Sequence, residues 1–364
     1  MTRATKFALV VGTRPNFMKA APLIRALESV PRFQSALVHT GQHYDHLMSN
    51  AFVKDLSLPE PDVNLNVGSS DHGAQTGLIM IHLEEYLKRN PPDCLVVVGD
   101  VNSTMAGALV ASKMQLPIAH VEAGCRSFDR TMPEEINRLV TDALSDILFT
   151  ADPYGDRNLV AEGHSKEKIH RVGNIMIDTV VEYLPMARKR CAAKKFGLQG
   201  KPYVVTTIHR PSNADHLDTL ESVLLGLADV SRKWPVVFPV HPRTRVNIDH
   251  LRKKLDLPDS LIFSAPLSYL DMLSLTCTAV GLLTDSGGLQ AEAAYLKVPA
   301  LTVRPNTEWM VTIDCGTNRL VRSERNAISA AAQDCFRSGS RGTTPELWDG
   351  HASERIVDLL QKLL

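Results

Sequence analysis

Three carboxylates in the first half of the chain are suited to acid–base chemistry. Asp100 ends the run VVVGD, Glu122 ends AHVE, and Glu134 lies in PEEINR. Carboxylates that share one site repel one another, which raises some of their pKa values and suits them to proton transfer. The alternative for Glu134 and its neighbour Glu135 is that they only stabilise the first turn of a helix that begins at Pro133. That alternative does not apply to Glu122, because it ends a strand.

Cations stand in comparable positions. Arg14 ends VVGTR, with Lys19 soon after it, and Arg138 ends PEEINR. In the second half, His209 ends TTIH and His241 ends FPVH. Such side chains bind phosphate or carboxylate groups. The alternatives are a surface arginine at a helix start and histidines that bind no ligand. The repetition of a strand-end histidine in the second half of the chain weakens the last alternative and leaves both interpretations open.

The run TDSGGLQAEA predicts an anion site. It reads as a strand, a tight turn and a helix, which places the N–H groups of Ser286, Gly287 and Gly288 at a helix N-terminus, where phosphate binds readily. Glu292 follows within the helix and is placed to accept hydrogen bonds from sugar hydroxyls. The alternative is that the serine and the glycines form only a helix cap and a turn.

The sequence predicts no cofactor and no metal. The first strand is followed by GTRPNFMK, which is neither the G-x-G-x-x-G of nicotinamide and flavin enzymes nor a P-loop. His39, His43 and His46 have a spacing that could suit a metal, but no carboxylate or cysteine frame accompanies them.

Composition excludes several classes of partner. Lys plus Arg and Asp plus Glu number 40 each, so neither nucleic acid nor an acidic membrane surface is expected to bind. The six cysteines are scattered without a C-x-x-C pair, which is typical of reduced thiols in a cytoplasmic protein. The apolar run near the N-terminus is too short for a signal peptide, and no run approaches the length of a membrane span.

Short apolar runs alternate with amphipathic helical patterns along the chain. Runs such as KFALVVGT, CLVVVGD and AVGLLTD are continuously apolar, which indicates parallel strands buried on both faces. The alternation restarts after a long helical connector. We therefore predict an α/β fold of two Rossmann-like, doubly wound parallel-sheet domains that face a central cleft. The predicted domains are 1–175, with the carboxylates, and 176–345, with the anion site, followed by a C-terminal helix at 346–364 that could pack back on the first domain.

Ligands of such sheets bind beyond the carboxyl ends of the strands. The polar residues of this chain collect after the predicted strands. We therefore expect the charges after PIAHVEAG, including Arg126 and Glu135, to line the cleft.

Ten runs, in order along nearly the whole chain, resemble those of the non-hydrolysing UDP-N-acetylglucosamine 2-epimerases. They are GTRPNFMKAAPLI, TGQH, the GD of Gly99–Asp100, HVEAG, PEEINR, GN with ID shortly after it, HRPSN, HP, TDSGGLQ and GTNRLV. Each run is short, but their order along the chain is specific. The resemblance implies the GT-B architecture, with a UDP-sugar between two Rossmann-like domains and UDP held by the second.

The resemblance also implies roles for particular residues. The implied catalytic residues are Asp100, Glu122, Glu134 and His209. The implied substrate-binding residues are Arg14, Lys19, Arg138, His209, His241, Ser286, Gly287, Gly288 and Glu292. In this assignment His209 contacts the diphosphate and assists its departure, and Glu292 binds the ribose hydroxyls.

The implied reaction interconverts UDP-GlcNAc and UDP-ManNAc without a redox cofactor, in a homodimeric enzyme that supplies precursors of surface polysaccharides. Departure of UDP from C1 leaves an oxocarbenium-like centre that acidifies the C2 proton. A base then removes this proton to give 2-acetamidoglucal, and reprotonation on the opposite face with return of UDP completes the inversion. Such a site needs cations around the diphosphate and carboxylates beside C2.

Several positions depart from the family pattern. Asn16 stands where many members have glutamate, and Ala291 where a second glutamate is usual. Trp309 and Met310 replace the arginine and proline of a T-E-R-P run, which puts the exact sugar in doubt. The alternatives are a related nucleotide-sugar 2-epimerase with a different sugar, a hydrolysing epimerase, a GT-B glycosyltransferase and a non-catalytic UDP-sugar sensor.

Overall fold

The chain divides into two compact units, and each unit has its own β-sheet. The first consists of residues 1–181 and 346–364, and the second of residues 182–345. The structure is a computed structural model, and it describes residues 3–41, 59–338 and 342–364.

The first unit is built on a seven-stranded parallel sheet. Its strands are β1 (Thr5–Val11), β2 (Phe33–His39), β3 (Val63–Asn64), β4 (Cys94–Val98), β5 (Ile118–Ala123), β6 (Ile147–Thr150) and β7 (Ile169–Arg171). They lie in the order β3-β2-β1-β4-β5-β6-β7. Successive strands are added on one side of β1 up to β3 and then on the other side from β4 onward, as in a doubly wound sheet. The central strand β4 is buried along its whole length, as expected of a strand covered on both faces.

Helices follow most of these strands. They are α1 (Arg14–Glu28), α2 (His72–Arg89), α3 (Asn102–Lys113), α4 (Pro133–Leu144), α5 (Pro153–Ala161) and α6 (Ile175–Arg190), the last of which continues into the second unit. α1, α4 and α5 each have proline in the first turn, where its fixed φ suits the helix and its missing N–H costs nothing. An apolar cluster that includes Leu83, Leu95, Val97 and Ala108 packs α2 and α3 against the sheet.

The second unit is built on a six-stranded parallel sheet. Its strands are β8 (Val204–Thr207), β9 (Val236–Pro239), β10 (Leu261–Ser264), β11 (Gly281–Thr284), β12 (Ala300–Val303) and β13 (Asn318–Val321), in the order β10-β9-β8-β11-β12-β13. Its helices are α7 (Pro211–Ala214), α8 (Leu217–Ser231), α9 (Pro242–Leu251), α10 (Tyr269–Thr276), α11 (Gly287–Leu296), α12 (Met310–Asp314) and α13 (Arg325–Ser338). Core packing requires Gly281, because a Cβ there would lie 2.2 Å from the ring of Phe336.

The last helix, α14 (Ala352–Leu363), belongs to the first unit and packs against α1. Asp178 accepts hydrogen bonds from the backbone N–H groups of Ala352 and Ser353 and so satisfies the helix N-terminus. The buried Trp348 donates its indole N–H to the carbonyl of Ala151 at 2.9 Å. These bonds anchor the end of the chain to the first sheet.

The predicted α/β fold class with two Rossmann-like parallel-sheet units is confirmed. Within the described ranges, no helix combines the length and the apolar character that crossing a membrane requires.

Candidate active site

Asp100 and Glu122 lie at the carboxyl ends of two neighbouring strands of the first sheet. β4 and β5 pair in parallel, and the N–H of Gly99 donates to the carbonyl of Val121 at 3.0 Å. Parallel strands end at the same edge of a sheet, and this edge is where ligands of doubly wound folds bind. The structure therefore brings these two predicted carboxylates to one place.

An irregularity of β5 determines the direction of Glu122. The pairing of β5 with β6 shifts register between Val121 and Ala123, and Glu122 has a φ of 73°. A left-handed backbone at a residue other than glycine costs about 1–3 kcal/mol, and such strain recurs at active sites. A bulge of this kind changes the direction of a side chain. Glu122 is the carboxylate that it affects here, and Glu122 is buried.

Lys19 of α1 contacts the Glu122 carboxylate in a short ion pair. Burial disfavours the charged amine, but the carboxylates of Glu122 and Asp100 outweigh burial, so the pKa of Lys19 is raised. Gly99 lies beside this pair in a left-handed conformation. A Cβ at Gly99 would lie 3.4 Å from both Lys19 Nζ and Glu122 Oε2, and the φ of Gly99 is 69°.

Arg138 of α4 holds Asp100. Its Nη1 lies 2.6 Å from Asp100 Oδ2, and its Nη2 lies 2.8 Å from Glu135 Oε2. Asn137 donates to the carbonyl oxygen of Asp100 at 2.9 Å. The predicted cation Arg138 therefore contacts a predicted catalytic carboxylate directly, and helix α4 fixes the end of β4.

The adjacent acids Glu134 and Glu135 differ in their surroundings. Glu135 is buried and accepts hydrogen bonds from the N–H and hydroxyl of Ser127 and from the N–H of Phe128. Burial raises the pKa of Glu135, but these bonds and Arg138 outweigh it and lower the pKa. Glu134 is only partly buried in the first turn of α4. Glu135 therefore supports the loop before α4, and Glu134 is the more accessible acid.

The expectation that the charges after PIAHVEAG line a ligand site is wrong for Arg126 and Glu135. Both are buried, and Arg126 pairs with Asp142 and Glu162 at 2.6 Å each. Arg126 and Glu135 therefore stabilise the loop between β5 and α4.

The hydrogen bonds of the Asn16 side chain explain why an amide suits this position. Its Oδ1 accepts from the N–H and hydroxyl of Thr13, and its Nδ2 donates to the carbonyl of Val98 at 2.8 Å. An ionised glutamate could not donate this last bond. Asn16 thereby ties the start of α1 to the end of β4. The preceding Arg14 begins α1 and is half-buried, and burial lowers its pKa.

In the second unit, Asp285 organises the end of β8. It is completely buried and accepts hydrogen bonds from the N–H groups of His209 and Arg210 and from the Asn213 amide. Its Oδ1 lies 3.0 Å from His209 Nδ1. Burial raises the pKa of Asp285, but the hydrogen bond from His209 and the others outweigh burial and lower the pKa. Asp285 therefore fixes the ring of His209 through Nδ1. This contact does not involve Nε2, the other ring nitrogen.

His241 lies beside His209, with ring centroids 5.8 Å apart. Its Nδ1 accepts a hydrogen bond from the N–H of Arg243 and so caps α9. Burial, and then the charges of His209 and Arg243, lower the pKa of His241. The guanidinium of Arg243 pairs with the exposed Asp215. His241 therefore caps α9 through Nδ1, and its lowered pKa favours the neutral ring.

Ser286, Gly287 and Gly288 form the start of α11, as predicted. Ser286 is the N-cap, its side chain makes no capping bond, and the first turn contains no acidic residue. A Cβ at Gly287 would lie 2.1 Å from Glu308 Oε1, so a larger residue there would displace the Glu308 carboxylate. The positive end of the helix dipole and the N–H groups of this turn favour an anion.

Glu292 lies one turn further along α11 and is buried. Burial raises its pKa to about 8, and the nearby hydroxyl of Tyr269 offsets part of this shift. Neither Glu292 Oε2 nor the Tyr269 hydroxyl has a hydrogen-bond partner of suitable geometry in the described part of the chain. A buried oxygen in this state is suited to accept a hydrogen bond from a ligand hydroxyl.

Trp309, which replaces the usual arginine, is buried with its indole nitrogen beside Gly287. Cations are nevertheless present. Arg304 Nη1 lies 2.8 Å from Glu308 Oε2, and Arg210 Nη2 lies 3.8 Å from Glu308 Oε1. Sequence reasoning missed Arg304 and Glu308; their spacing of four residues around a turn was the signal that could have found them.

Among the described residues, no group of three or more His, Cys, Asp or Glu side chains is arranged to hold a metal ion. His39 is described, and burial lowers its pKa. His43 and His46, with Gln42 of the run TGQH, lie outside the described residues.

Comparison with known proteins identifies the family. The sequence profile of UDP-N-acetylglucosamine 2-epimerases matches residues 25–361. The chain belongs to the UDP-N-acetylglucosamine 2-epimerase family. The predicted family is therefore confirmed, and with it the enzyme class, because epimerases are isomerases.

Two relatives match nearly the whole chain at the same identity. A UDP-N-acetylglucosamine 2-epimerase of Methanococcus maripaludis is 38% identical over 98% of this chain and 98% of the relative. A UDP-2,3-diacetamido-2,3-dideoxy-D-glucuronate 2-epimerase of Pseudomonas aeruginosa is 38% identical over 98% of this chain and 100% of the relative.

Solved structures of the family share the fold. The Methanocaldococcus jannaschii UDP-GlcNAc 2-epimerase in complex with UDP-GlcNAc and UDP matches with a TM-score of 0.90 and 38% identity, over 98% of this chain and 100% of that one. The Neisseria meningitidis UDP-GlcNAc 2-epimerase bound to UDP-GlcNAc matches with a TM-score of 0.89 and 29% identity, over 98% of this chain and 100% of that one.

Proposed function

We propose that this protein interconverts UDP-GlcNAc and UDP-ManNAc by eliminating and re-adding UDP. One observation supports this most directly: Asp100 and Glu122 end neighbouring strands, and each has its own cation, Arg138 and Lys19 respectively. Inversion at C2 needs one group that removes the proton and another that returns it on the opposite face. A pair of carboxylates held beside one strand edge supplies two such groups.

The proposed chemistry balances without an oxidant or a reductant. A carboxylate accepts the C2 proton, and the C2–H electrons form the C1=C2 bond of 2-acetamidoglucal. The C1–O bond breaks, and its electrons leave with UDP. In the return step a second carboxylic acid protonates C2 from the other face, while UDP re-adds to C1. Asp100, Glu122 and Glu134 are the proposed acids and bases.

The second unit carries the groups proposed to hold UDP. His209, oriented by Asp285, would donate from Nε2 to the departing diphosphate and stabilise its charge. Ser286, Gly287 and Gly288 would bind phosphate at the start of α11. Glu292 would accept hydrogen bonds from the ribose hydroxyls. In the first unit, Arg14 is the proposed additional cation for the substrate.

A second candidate substrate is UDP-2,3-diacetamido-2,3-dideoxy-D-glucuronate. The relative that carries this name is as similar to the chain as the Methanococcus maripaludis UDP-GlcNAc 2-epimerase is, at 38% identity in both cases. Both substrates carry an acetamido group at C2, so the same two-carboxylate chemistry would serve either. Trp309 beside Gly287 marks where the chain departs from the common family pattern.

Product analysis with each substrate tests the proposal and separates the alternatives. The proposal predicts the nucleotide-linked 2-epimer with no acceptor present. Free sugar plus UDP would indicate a hydrolysing epimerase, and turnover only with an acceptor sugar would indicate a glycosyltransferase. Binding of UDP-GlcNAc without exchange at C2 would indicate a sensor.

We also propose a homodimer that supplies precursors of surface polysaccharides. Both parts of this proposal rest on the family resemblance. Sedimentation equilibrium tests the first part, because a dimer has twice the 40.1 kDa of one chain. Loss of a surface polysaccharide on deletion of the gene tests the second part.

A further inference from the structure

A second group of ionisable side chains lies behind the proposed catalytic carboxylates of the first unit. His120 on β5 and Asp142 on α4 are both completely buried. His120 Nδ1 lies 2.6 Å from Asp142 Oδ1, and His120 Nε2 lies 2.8 Å from the carbonyl oxygen of Gly99. Neither residue is in the proposed substrate-binding or catalytic set.

The partners of His120 determine where its protons lie. A backbone carbonyl can only accept, so Nε2 must donate to the oxygen of Gly99. Asp142 Oδ2 accepts from the N–H of Gly124 at 3.0 Å and from Arg126 Nη2 at 2.6 Å. The hydrogen between Nδ1 and Asp142 Oδ1 can belong to either atom, but the two donors at Oδ2 stabilise the ionised carboxylate and so assign this hydrogen to Nδ1. Both ring nitrogens then carry hydrogen, and His120 is an imidazolium.

The electrostatics of Asp142 support that state. Burial raises the pKa of Asp142, but His120 and Arg126 outweigh burial and lower the pKa. Arg126 also pairs with Glu162 through Nε and Nη2, at 2.8 and 2.6 Å. One imidazolium and one guanidinium neutralise the two carboxylates. A neutral His120 would instead require a protonated Asp142, which the lowered pKa of Asp142 disfavours.

The two residues hold the backbone next to both strand-end carboxylates. Gly99, which His120 binds, precedes Asp100, and Gly124, which Asp142 binds, follows Glu122 by two residues. We propose that His120, as an imidazolium, and Asp142 form a positioning pair that fixes the backbone carrying Asp100 and Glu122. This assignment rests on the proposed function for its effect on catalysis, but the protonation state of His120 does not depend on that function.

The first experiment measures protonation without measuring activity. The probe is the protein labelled with ¹⁵N in its 13 histidines, and the His120 signals are assigned by their loss in His120→Gln. In long-range ¹H–¹⁵N spectra at pH 7, both ring nitrogens of His120 are expected to carry hydrogen. A ring nitrogen without hydrogen would overturn the imidazolium.

The second experiment uses a conservative and a disruptive variant of Asp142. An asparagine can donate to Nδ1 of a neutral His120 and accept from Gly124 and Arg126. Every hydrogen bond that Asp142 makes in the positioning pair is therefore retained. Asp142→Asn is therefore expected to keep kcat within about threefold, with a single ring N–H on His120. Asp142→Ala and His120→Ala each remove the contact to one strand end and are expected to lower kcat about tenfold to hundredfold with little change in KM, since small misplacements have effects of this size.

Asp178 provides the matched control, because it is a buried aspartate of the same unit that accepts two backbone N–H groups at the start of α14. Asp178→Ala should lower the Tm and leave kcat unchanged well below the Tm. The positioning role is overturned if Asp142→Ala and His120→Ala keep kcat, or if Asp178→Ala loses kcat to the same extent. If the unaltered protein shows no exchange at C2, the proposed function fails, and the protonation result stands on its own.

Discussion

Arg138 Nη1 lies 2.6 Å from Asp100 Oδ2, while Nη2 of the same guanidinium lies 2.8 Å from Glu135 Oε2. One buried side chain thus joins the end of β4 to the first turn of α4. A planar fork can hold two carboxylates in fixed directions, whereas an ammonium group cannot do so in the same way.

Arg138→Lys should therefore lower kcat about a hundredfold while the protein stays folded, because misplaced catalytic groups have effects of this size. The control is Arg171→Lys in the same unit, since Arg171 binds Asp156 through Nε and Nη2. Steady-state kinetics and thermal unfolding of both variants test this. Equal loss of kcat in the two variants would show that the effect is general to forked ion pairs and not specific to Asp100.

Gly99→Ala should lower kcat beyond its effect on stability, because the added methyl group would lie against the charged atoms of Lys19 and Glu122. Gly99 has a φ of 69°, and a Cβ there would lie 3.4 Å from Lys19 Nζ and Glu122 Oε2. Gly200 has a φ of 73° with open space around it, so Gly200→Ala has the same backbone penalty, roughly 1 kcal/mol, and no such contact. Urea unfolding of both variants should give similar free energies of unfolding, and only Gly99→Ala should lose kcat. Unchanged kcat in Gly99→Ala would show that a methyl group beside Lys19 and Glu122 does not affect turnover.

Asp285→Asn should lower kcat about tenfold to hundredfold, because an amide cannot hold His209 by Nδ1 and accept all the neighbouring N–H groups with one oxygen. The matched control is Asp215→Asn, which removes an exposed ion pair with Arg243 in the same unit. Rates with a UDP-sugar and affinities for UDP measure the effect. If both variants keep their rates, Asp285 does not orient a catalytic His209.

UDP affinity should depend on the ionisation of Glu292. The pKa of this buried carboxyl is about 8 in the free protein, and ribose hydroxyls donate best to the ionised form. UDP should therefore bind more weakly as the pH falls below about 8, approaching tenfold per pH unit by linkage. Titration calorimetry from pH 6.5 to 8.5 measures this, with Glu292→Gln as the variant whose affinity lacks this dependence. A pH-independent affinity of the unaltered protein would contradict the assignment.

The same shift has a consequence for folding. The pKa of Glu292 is raised from 4.5 to about 8, so the folded state binds more protons than the unfolded state between these values. Its contribution to stability is present below about pH 4.5 and is lost as the pH rises through about 8. Relative to Glu292→Gln, the unaltered protein should become less stable between pH 5.5 and 8.5. Urea unfolding at both pH values measures the difference, and a constant difference would contradict the raised pKa.

The fold could be predicted from the sequence because its strands are buried on both faces. A run such as Leu95–Val98, with no polar residue to mark an exposed face, fits a parallel sheet covered by helices, and the structure has two such sheets. The start of α11 after a strand was equally visible, since paired glycines between a strand pattern and a helix pattern are typical of a tight turn at a helix N-terminus.

Parts of the site depend on tertiary contacts that no local pattern reveals. The left-handed backbone of Glu122 follows from a register shift against β6, which is a separate segment of the chain. Arg126 looked like a ligand-site cation and is instead neutralised by Asp142 and Glu162. Asp285 orients His209 from a strand that comes much later in the sequence. The position of a residue at a strand end predicted that it lies at the sheet edge. It did not predict which of these residues fix the side chains of their neighbours.

In the proposed reaction, the C2–H bond of the substrate breaks and re-forms. The most direct measurement incubates the protein with UDP-GlcNAc in heavy water and follows C2 by proton NMR and mass spectrometry. We predict one deuterium at C2 in UDP-ManNAc and in recovered UDP-GlcNAc, and at least a hundredfold slower exchange in Glu122→Gln, in line with the usual contribution of about a hundredfold or more from an acid–base group. The second candidate sugar is assayed in the same way. Binding of either UDP-sugar with no deuterium at C2 would contradict this reaction.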